Sequence, residues 1–235
     1  MKRIVLALDG LSRGRALNLA RRLGQWLRAV KLHDLLDSYG PSIIRDLVNA
    51  GIEVPWVDYK LHDTTGTVAL RVKALVRNGA KIITVHASGG VAMMKAAVDA
   101  TFSTTGEQLA EIYAVTVLTS LDDAEIARSY GNDRTRLQIV HDFALMAHEA
   151  GVRTVVCSAQ EVKMLKQSAD LPGMRFAVPG TRSVGVAFGQ QKRSGTPAQA
   201  VADGADELVG ASQLTNAEDP VAAFEAMAEE ADPSS

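Results

Sequence analysis

The chain has 235 residues, with 25 Lys plus Arg against 27 Asp plus Glu, and a net charge of −2 implies neither a polyanion-binding surface nor a nucleic-acid partner. Hydrophobic residues at 47% and charged residues at 22% exclude a disordered tail and favour one domain with a substantial core. The single cysteine, Cys157, rules out an intramolecular disulfide, and the apolar run 4–8 ends at Asp9, too short to span a bilayer; a cytoplasmic setting with no membrane partner is expected.

Short Val/Ile/Leu-rich runs alternate with longer amphipathic stretches along the chain. A strand predicted over 3–9 leads to a helix over 13–27, and a strand over 28–32 to a helix over 36–50. The pairs 54–60 with 66–78, 81–86 with 90–101, and 111–118 with 134–150 follow. The last three are 153–157 with 159–167, 174–178 with 197–203, and 206–209 with 217–229. Pro41 suits a helix start, Gly51 and Gly79 follow helix ends, and Thr196-Pro197 reads as a cap with a first-turn proline. Eight strand-helix units predict a parallel (β/α)8 TIM barrel in one domain over 1–230, with a polar tail at 231–235. An open doubly wound sheet would favour a G-x-G-x-x-G turn after its first strand, where this chain has Asp9-Gly10-Leu11-Ser12-Arg13-Gly14.

Chemistry in such a barrel belongs at the C-terminal strand ends, and polar residues gather there. Asp9 ends the first strand, Lys31 the second, and Asp58 and Lys60 the third; His86 and Ser88 follow the fourth and Ser120 the fifth. Taken singly, Asp9 fits a helix cap, Lys31 a snorkelling side chain and Ser120 a cap for a helix near 122. Their shared position at one barrel mouth favours a site. Alternation places Asp58 and Lys60 on one strand face, with Asp63 at the start of the following loop, near enough to join them or to reach a neighbouring subunit.

A lysine held between carboxylates keeps its proton, which makes it a poor base and a positioned acid. A fixed aspartate beside a substrate carboxylate repels it by about 1 to 4 kcal/mol at 4 Å, a repulsion that loss of CO2 removes. The ammonium can then stabilise and protonate the carbanion left behind. These residues therefore permit decarboxylation without a metal. The five histidines, His33, His62, His86, His141 and His148, are dispersed and form no HExxH-like zinc pattern.

The run Asp58-x-Lys60-x-x-Asp63-x-x-x-Thr67, preceded by LALD and AVK, closely resembles the orotidine 5′-phosphate decarboxylase family. TVHASGG at 84–90, VTVLTS at 115–120, VPGTR at 178–182, QKR at 191–193 and TPAQAVADGAD at 196–206 extend the likeness over nearly the whole chain. The resemblance implies conversion of orotidine 5′-phosphate to UMP and CO2 in pyrimidine biosynthesis. By it, Asp9 and Lys31 hold the ribose, Asp58, Lys60 and Asp63 complete the charged array, and Lys60 protonates C6. Ser120 contacts the pyrimidine, Pro179 lines its pocket, and Gln191 bridges ring and phosphate. The resemblance also implies a homodimer in which the partner subunit supplies Asp63 and Thr67, a structural hydrogen-bonding role for His86, and neither metal nor organic cofactor.

Three departures accompany this resemblance. Asp63-Thr64-Thr65-Gly66-Thr67 stands where the family usually has Asp-Ile-Pro-Asn-Thr, and Leu32-His33 follows Lys31 where Val-Gly is usual. Ala211-Ser212 stands where the family has Gly-Arg, so Ser212 takes the place of the phosphate-clamping arginine. Gln191, amides around Gly210 to Ser212, Arg182 and Arg193 are the alternatives for holding phosphate. Other readings are a divergent or altered member using another nucleotide or nucleoside, a metal-dependent sugar-phosphate decarboxylase or aldolase of the same superfamily, and a nucleotide-binding protein without turnover.

Overall fold

A computed structural model describes residues 2–131, 133–183, 193 and 195–232. The elements run β1 (Ile4–Ala7), α1 (Arg13–Leu23), β2 (Ala29–Leu32), α2 (Asp34–Tyr39), α3 (Ser42–Asn49), β3 (Pro55–Leu61), α4 (Thr65–Arg77), β4 (Ile82–His86) and α5 (Val91–Asp99). They continue with β5 (Glu111–Val115), α6 (Asp123–Tyr130), α7 (Arg136–Glu149), β6 (Thr154–Val156), α8 (Val162–Lys166), β7 (Arg175–Pro179) and α9 (Pro197–Ala202). β8 (Glu207–Gly210), α10 (Ser212–Thr215) and α11 (Pro220–Ala231) complete the order. All eight strands pair in parallel, and the β1–β8 register Ile4↔Leu208, Val5↔Val209, Leu6↔Gly210 closes the barrel. No described helix is long and apolar enough to cross a membrane.

Each strand is buried on both faces, which explains why the strands read as apolar runs. Ile4, Leu6, Val30, Val57 and Ile83 pack outward under the helices, while Val5, Ala7, Ala29, Trp56, Ile82 and Tyr113 fill the barrel interior. In the interior, Trp56 Nε1 donates to Thr84 Oγ1 at 2.6 Å, and the Trp56 and Tyr113 rings meet edge to face at 4.9 Å. At the N-terminal strand ends, the Tyr113 hydroxyl donates to Glu207 Oε1 at 2.7 Å, and Glu207 pairs with Arg28 Nε at 2.9 Å. Glu111 adds pairs to Arg28 and Arg175. This charged floor plugs one end of the barrel and leaves the other for chemistry.

All eight predicted strands form, but several helices differ from expectation. The stretch 36–50 is two helices, because Gly40 takes φ +66° and Pro41 brings no amide to continue the first. α1 stops at Leu23 and passes into a 3-10 turn over Gly24–Trp26. α6 is a separate element capped by Asp122, whose side chain accepts from the Glu125 amide while Glu125 accepts from the Asp122 amide. The cap of α6 is therefore Asp122 and not Ser120. Ser12, rather than Asp9, caps α1, which leaves Asp9 free to serve the barrel mouth. β5 ends at Val115, short of the predicted 118, and α10 was not foreseen.

Candidate active site

Asp9, Lys31, Asp58 and Lys60 converge at the C-terminal mouth as a chain of alternating charge. Lys31 Nζ lies 2.9 Å from Asp9 Oδ2 and 3.0 Å from Asp58 Oδ2, and Lys60 Nζ lies 2.9 Å from the same Asp58 oxygen. Asp58 is 7% exposed and Lys31 8%, so both charges are desolvated and held by each other. Burial alone would raise the Asp58 carboxyl, but the ammonium groups of Lys31 and Lys60 outweigh it and hold it below its ordinary value. Burial would likewise lower Lys31, but Asp58 and Asp9 outweigh it and raise its pKa.

Lys60 reaches this position by a route that simple alternation does not supply. Its φ of +48° makes it the one non-glycine residue with positive φ among those described. The β3–β4 register runs Val57↔Ile83 and then Leu61↔Val85, so β3 spends four residues where β4 spends two. With this irregularity, Lys60 joins Lys31 at one oxygen of Asp58. A left-handed lysine costs about 1 to 3 kcal/mol, a strain that marks places where surrounding structure dictates the geometry.

Asp63 stands apart from this array within the chain. Its exposed carboxylate accepts from the Thr64 amide at 2.7 Å, and among the described residues no ion pair joins it to Lys31 or Lys60. Thr67, on α4, has its hydroxyl 3.0 Å from that of Thr64. Asp63 lies in the loop between β3 and α4, and Thr67 in the first turn of α4. Ser120 is exposed beyond β5, and Pro179 ends β7 beside Val209 of β8. His86 ends β4, its pKa lowered first by burial, then by His62 and Lys60. Gln191 lies outside the described residues.

The sequence left several groups open as a phosphate anchor, and the geometry separates two of them. Arg182, 7% exposed, follows β7 and donates from Nη2 to Ser212 Oγ at 3.3 Å, across the gap to α10. No carboxylate among the described residues pairs with it, and burial alone lowers its pKa. Arg193 is instead committed to Glu161 and to the Val117 and Leu118 carbonyls. A guanidinium with no carboxylate partner among the described residues thus stands at Ser212, supplied by a neighbouring loop.

Sequence reasoning passed over Asp34, whose two carboxylate oxygens accept from the Gly10 amide at 3.2 and 3.1 Å and so tie the loops after β1 and β2 together. Its signal was its place at the first position of a helix directly after a strand. Asp9, His33 and Asp34 bring ligand atoms within 4.8 Å of one another. The Lys31 ammonium already occupies the Asp9 carboxylate of that trio.

Removing the central carboxylate tests how the array is held. Asp58→Asn is expected to lower the unfolding free energy at pH 7 by about 3 kcal/mol, as for a buried pair that loses one partner. A group with a depressed folded pKa contributes stability above its unfolded pKa and loses it as pH falls through the folded value. Urea midpoints for wild type and variant should therefore converge in acid. A difference that stays constant through the acid limb would mean that the charge of Asp58 is not the stabilising feature.

The family model described as the Orotidine 5′-phosphate decarboxylase / HUMPS family matches residues 2–227. The orotidine 5′-phosphate decarboxylase of Pseudoalteromonas translucida (strain TAC 125) is 38% identical over 222 residues, covering 94% of this chain and 93% of that protein. That of Streptococcus pneumoniae serotype 19F (strain G54) is 43% identical over 199 residues, covering 84% and 82%. The crystal structure of orotidine 5′-phosphate decarboxylase from Lactobacillus acidophilus superposes with a TM-score of 0.81 at 29% identity, covering 99% of this chain and all of that one. With the charged array at the barrel mouth and a match over almost its full length, this chain belongs to the orotidine 5′-phosphate decarboxylase / HUMPS family.

Proposed function

We infer that the protein decarboxylates orotidine 5′-phosphate to UMP without a metal or organic cofactor. The observation that carries this reading is the Asp9–Lys31–Asp58–Lys60 chain, with Lys60 Nζ 2.9 Å from a buried carboxylate and its backbone held at φ +48°. Asp58 repels the substrate carboxylate, and the bond from C6 to that carboxylate breaks with its electron pair left on C6. CO2 departs as a neutral molecule, relieving the repulsion. The Lys60 ammonium stabilises the carbanion, transfers a proton to C6 and recovers one from water before the next turnover.

Asp9 and Lys31 hold the ribose, Ser120 meets the pyrimidine, Pro179 lines its pocket, and Gln191 reaches between ring and phosphate. The active unit is a cytoplasmic two-fold homodimer in which Asp63 and Thr67 serve the partner's site; the exposed Asp63 carboxylate, unpaired with Lys31 or Lys60 of its own chain among the described residues, supports this. An assay following the ultraviolet absorbance of orotidine 5′-phosphate, with and without a chelator, tests the reading. Absorbance loss unaffected by chelation supports it. Chelator-sensitive turnover, or none, counts against it.

Arg182, steadied by Ser212, grips the phosphate in place of the arginine that the sequence lacks. Arg182→Ala is expected to weaken UMP binding by about 1.5 to 3 kcal/mol, the range for a hydrogen bond to a charged group, while uridine affinity stays nearly constant. Calorimetric titration of both ligands reads the difference. Equal weakening for uridine would assign Arg182 to the ring or ribose, and no weakening for either would put the phosphate elsewhere.

A further inference from the structure

Arg193 occupies a place that an ordinary surface arginine would not. It is 2% exposed and Glu161 is 0% exposed, and the two are joined through Arg193 Nη1 and Glu161 Oε1. Nη2 donates to the Leu118 carbonyl at 2.7 Å and to that of Val117 at 3.3 Å. Glu161 also accepts from the Ser158 amide at 2.8 Å, and its Oε1 lies 3.5 Å from Arg136 Nε, while Arg136 pairs with Asp123 at 2.8 Å. One guanidinium therefore touches the segment after β5, where Val117 and Leu118 lie, and the segment after β6, where Glu161 lies. It is itself carried by the segment after β7.

Two backbone features hold Arg193 at this crossing. The Arg182 amide donates to the Gly195 carbonyl at 3.1 Å, closing the base of the segment that carries Arg193. A Cβ at Gly195 would stand 3.0 Å from the Ala159 Cβ, so the chain can approach the segment after β6 because this position lacks a side chain. The Leu118 carbonyl that receives Arg193 also receives the Leu121 amide at 3.1 Å, which fixes the turn containing Ser120.

We propose that Arg193 is a positioning residue that acts through Ser120, clamping the turn after β5 to the segments after β6 and β7. The proposal rests on the reading of Ser120 as a pyrimidine contact. A buried ion pair adds little net stability compared with apolar packing, whereas a planar fork satisfies several acceptors in one fixed geometry. Lysine has the charge and lacks the fork, so it cannot hold the two carbonyls and Glu161 together.

The test combines Arg193→Lys with Ser120→Ala in a double-mutant cycle on orotidine 5′-phosphate turnover, alongside hydrogen exchange at the Leu121 amide without ligand. Arg193→Lys should reduce kcat/KM by about tenfold or more in the wild-type background and by no more than about threefold once Ser120 is alanine, because contacting residues couple and independent ones add. Leu121 exchange should accelerate by about tenfold, as local opening becomes easier. Equal losses in both backgrounds, or unchanged exchange in a folded variant, would overturn the proposal. If Arg193→Lys does not fold, the pair Arg193→Met with Glu161→Gln, which removes both charges and keeps an acceptor for the Ser158 amide, takes its place in the cycle. Failure of that variant to fold would make Arg193 a stability element and also overturn the proposal. If wild type does not turn over orotidine 5′-phosphate, the functional reading fails, and Leu121 exchange alone decides whether the clamp exists.

Discussion

Lys60→Ala is expected to leave the barrel folded and to reduce decarboxylation by at least about 100-fold, the lower part of the range for loss of a general acid. Binding of UMP should change by less than about tenfold, since the ammonium is worth most where negative charge develops and only such differential interaction accelerates chemistry. Lys60 is partly exposed at the barrel mouth and pairs only with Asp58 among the described carboxylates, which remains paired with Lys31 after the substitution. Alanine keeps the Cβ, so the left-handed backbone at this position carries the same kind of strain in the variant as in wild type. Steady-state turnover and UMP titration on the same preparation separate the two effects. Retention of more than about a tenth of wild-type turnover would exceed what loss of a positioned acid permits, and the role of Lys60 would be wrong.

The barrel was legible because parallel strands covered on both faces leave little choice but continuous apolar runs, and IVLA at β1 and IITV at β4 are such runs. The mouth was legible for the same reason: Asp58 and Lys60 break a strand that is otherwise apolar at a place where solvation cannot explain them. The route by which they meet was not. Alternation assumes an even pleat, while the register slip between Val57 and Leu61 depends on how β4 pairs, which no local pattern in β3 records.

Capping was equally hard to assign where neighbouring residues offered similar side chains. Ser120 and Asp122 both stand before α6, and the reciprocal bond with Glu125 selects Asp122. The clamps across loops were the least legible. Arg182 and Ser212 are 30 positions apart, and Arg193 and Glu161 are 32 apart, so each contact exists only once the barrel has closed. The absence of arginine at Ser212 was visible from the start, but the guanidinium that reaches it comes from the end of β7, a distance measurable only in three dimensions.

The proposal that each site is shared between two subunits predicts recovery of activity from two damaged proteins. Lys60→Ala and Asp63→Ala homodimers should each be nearly inactive if every site joins Lys60 of one subunit to Asp63 of the other. After subunit exchange, a heterodimer has one site that carries both lesions and one that carries neither, as the two-fold relation of an isologous dimer requires. Equal amounts with random pairing make about half of the dimers mixed and restore about a quarter of wild-type activity. The placement of Asp63 gives the experiment its force, since its carboxylate turns to the Thr64 amide and is not paired with Lys60 of its own chain. Mass spectrometry of the mixture establishes that exchange has occurred. Recovery near a quarter assigns Asp63 to the partner's site, whereas proven exchange without recovery means that each barrel builds its site alone, and the loop after β3 must then swing inward to bring Asp63 to its own Lys60.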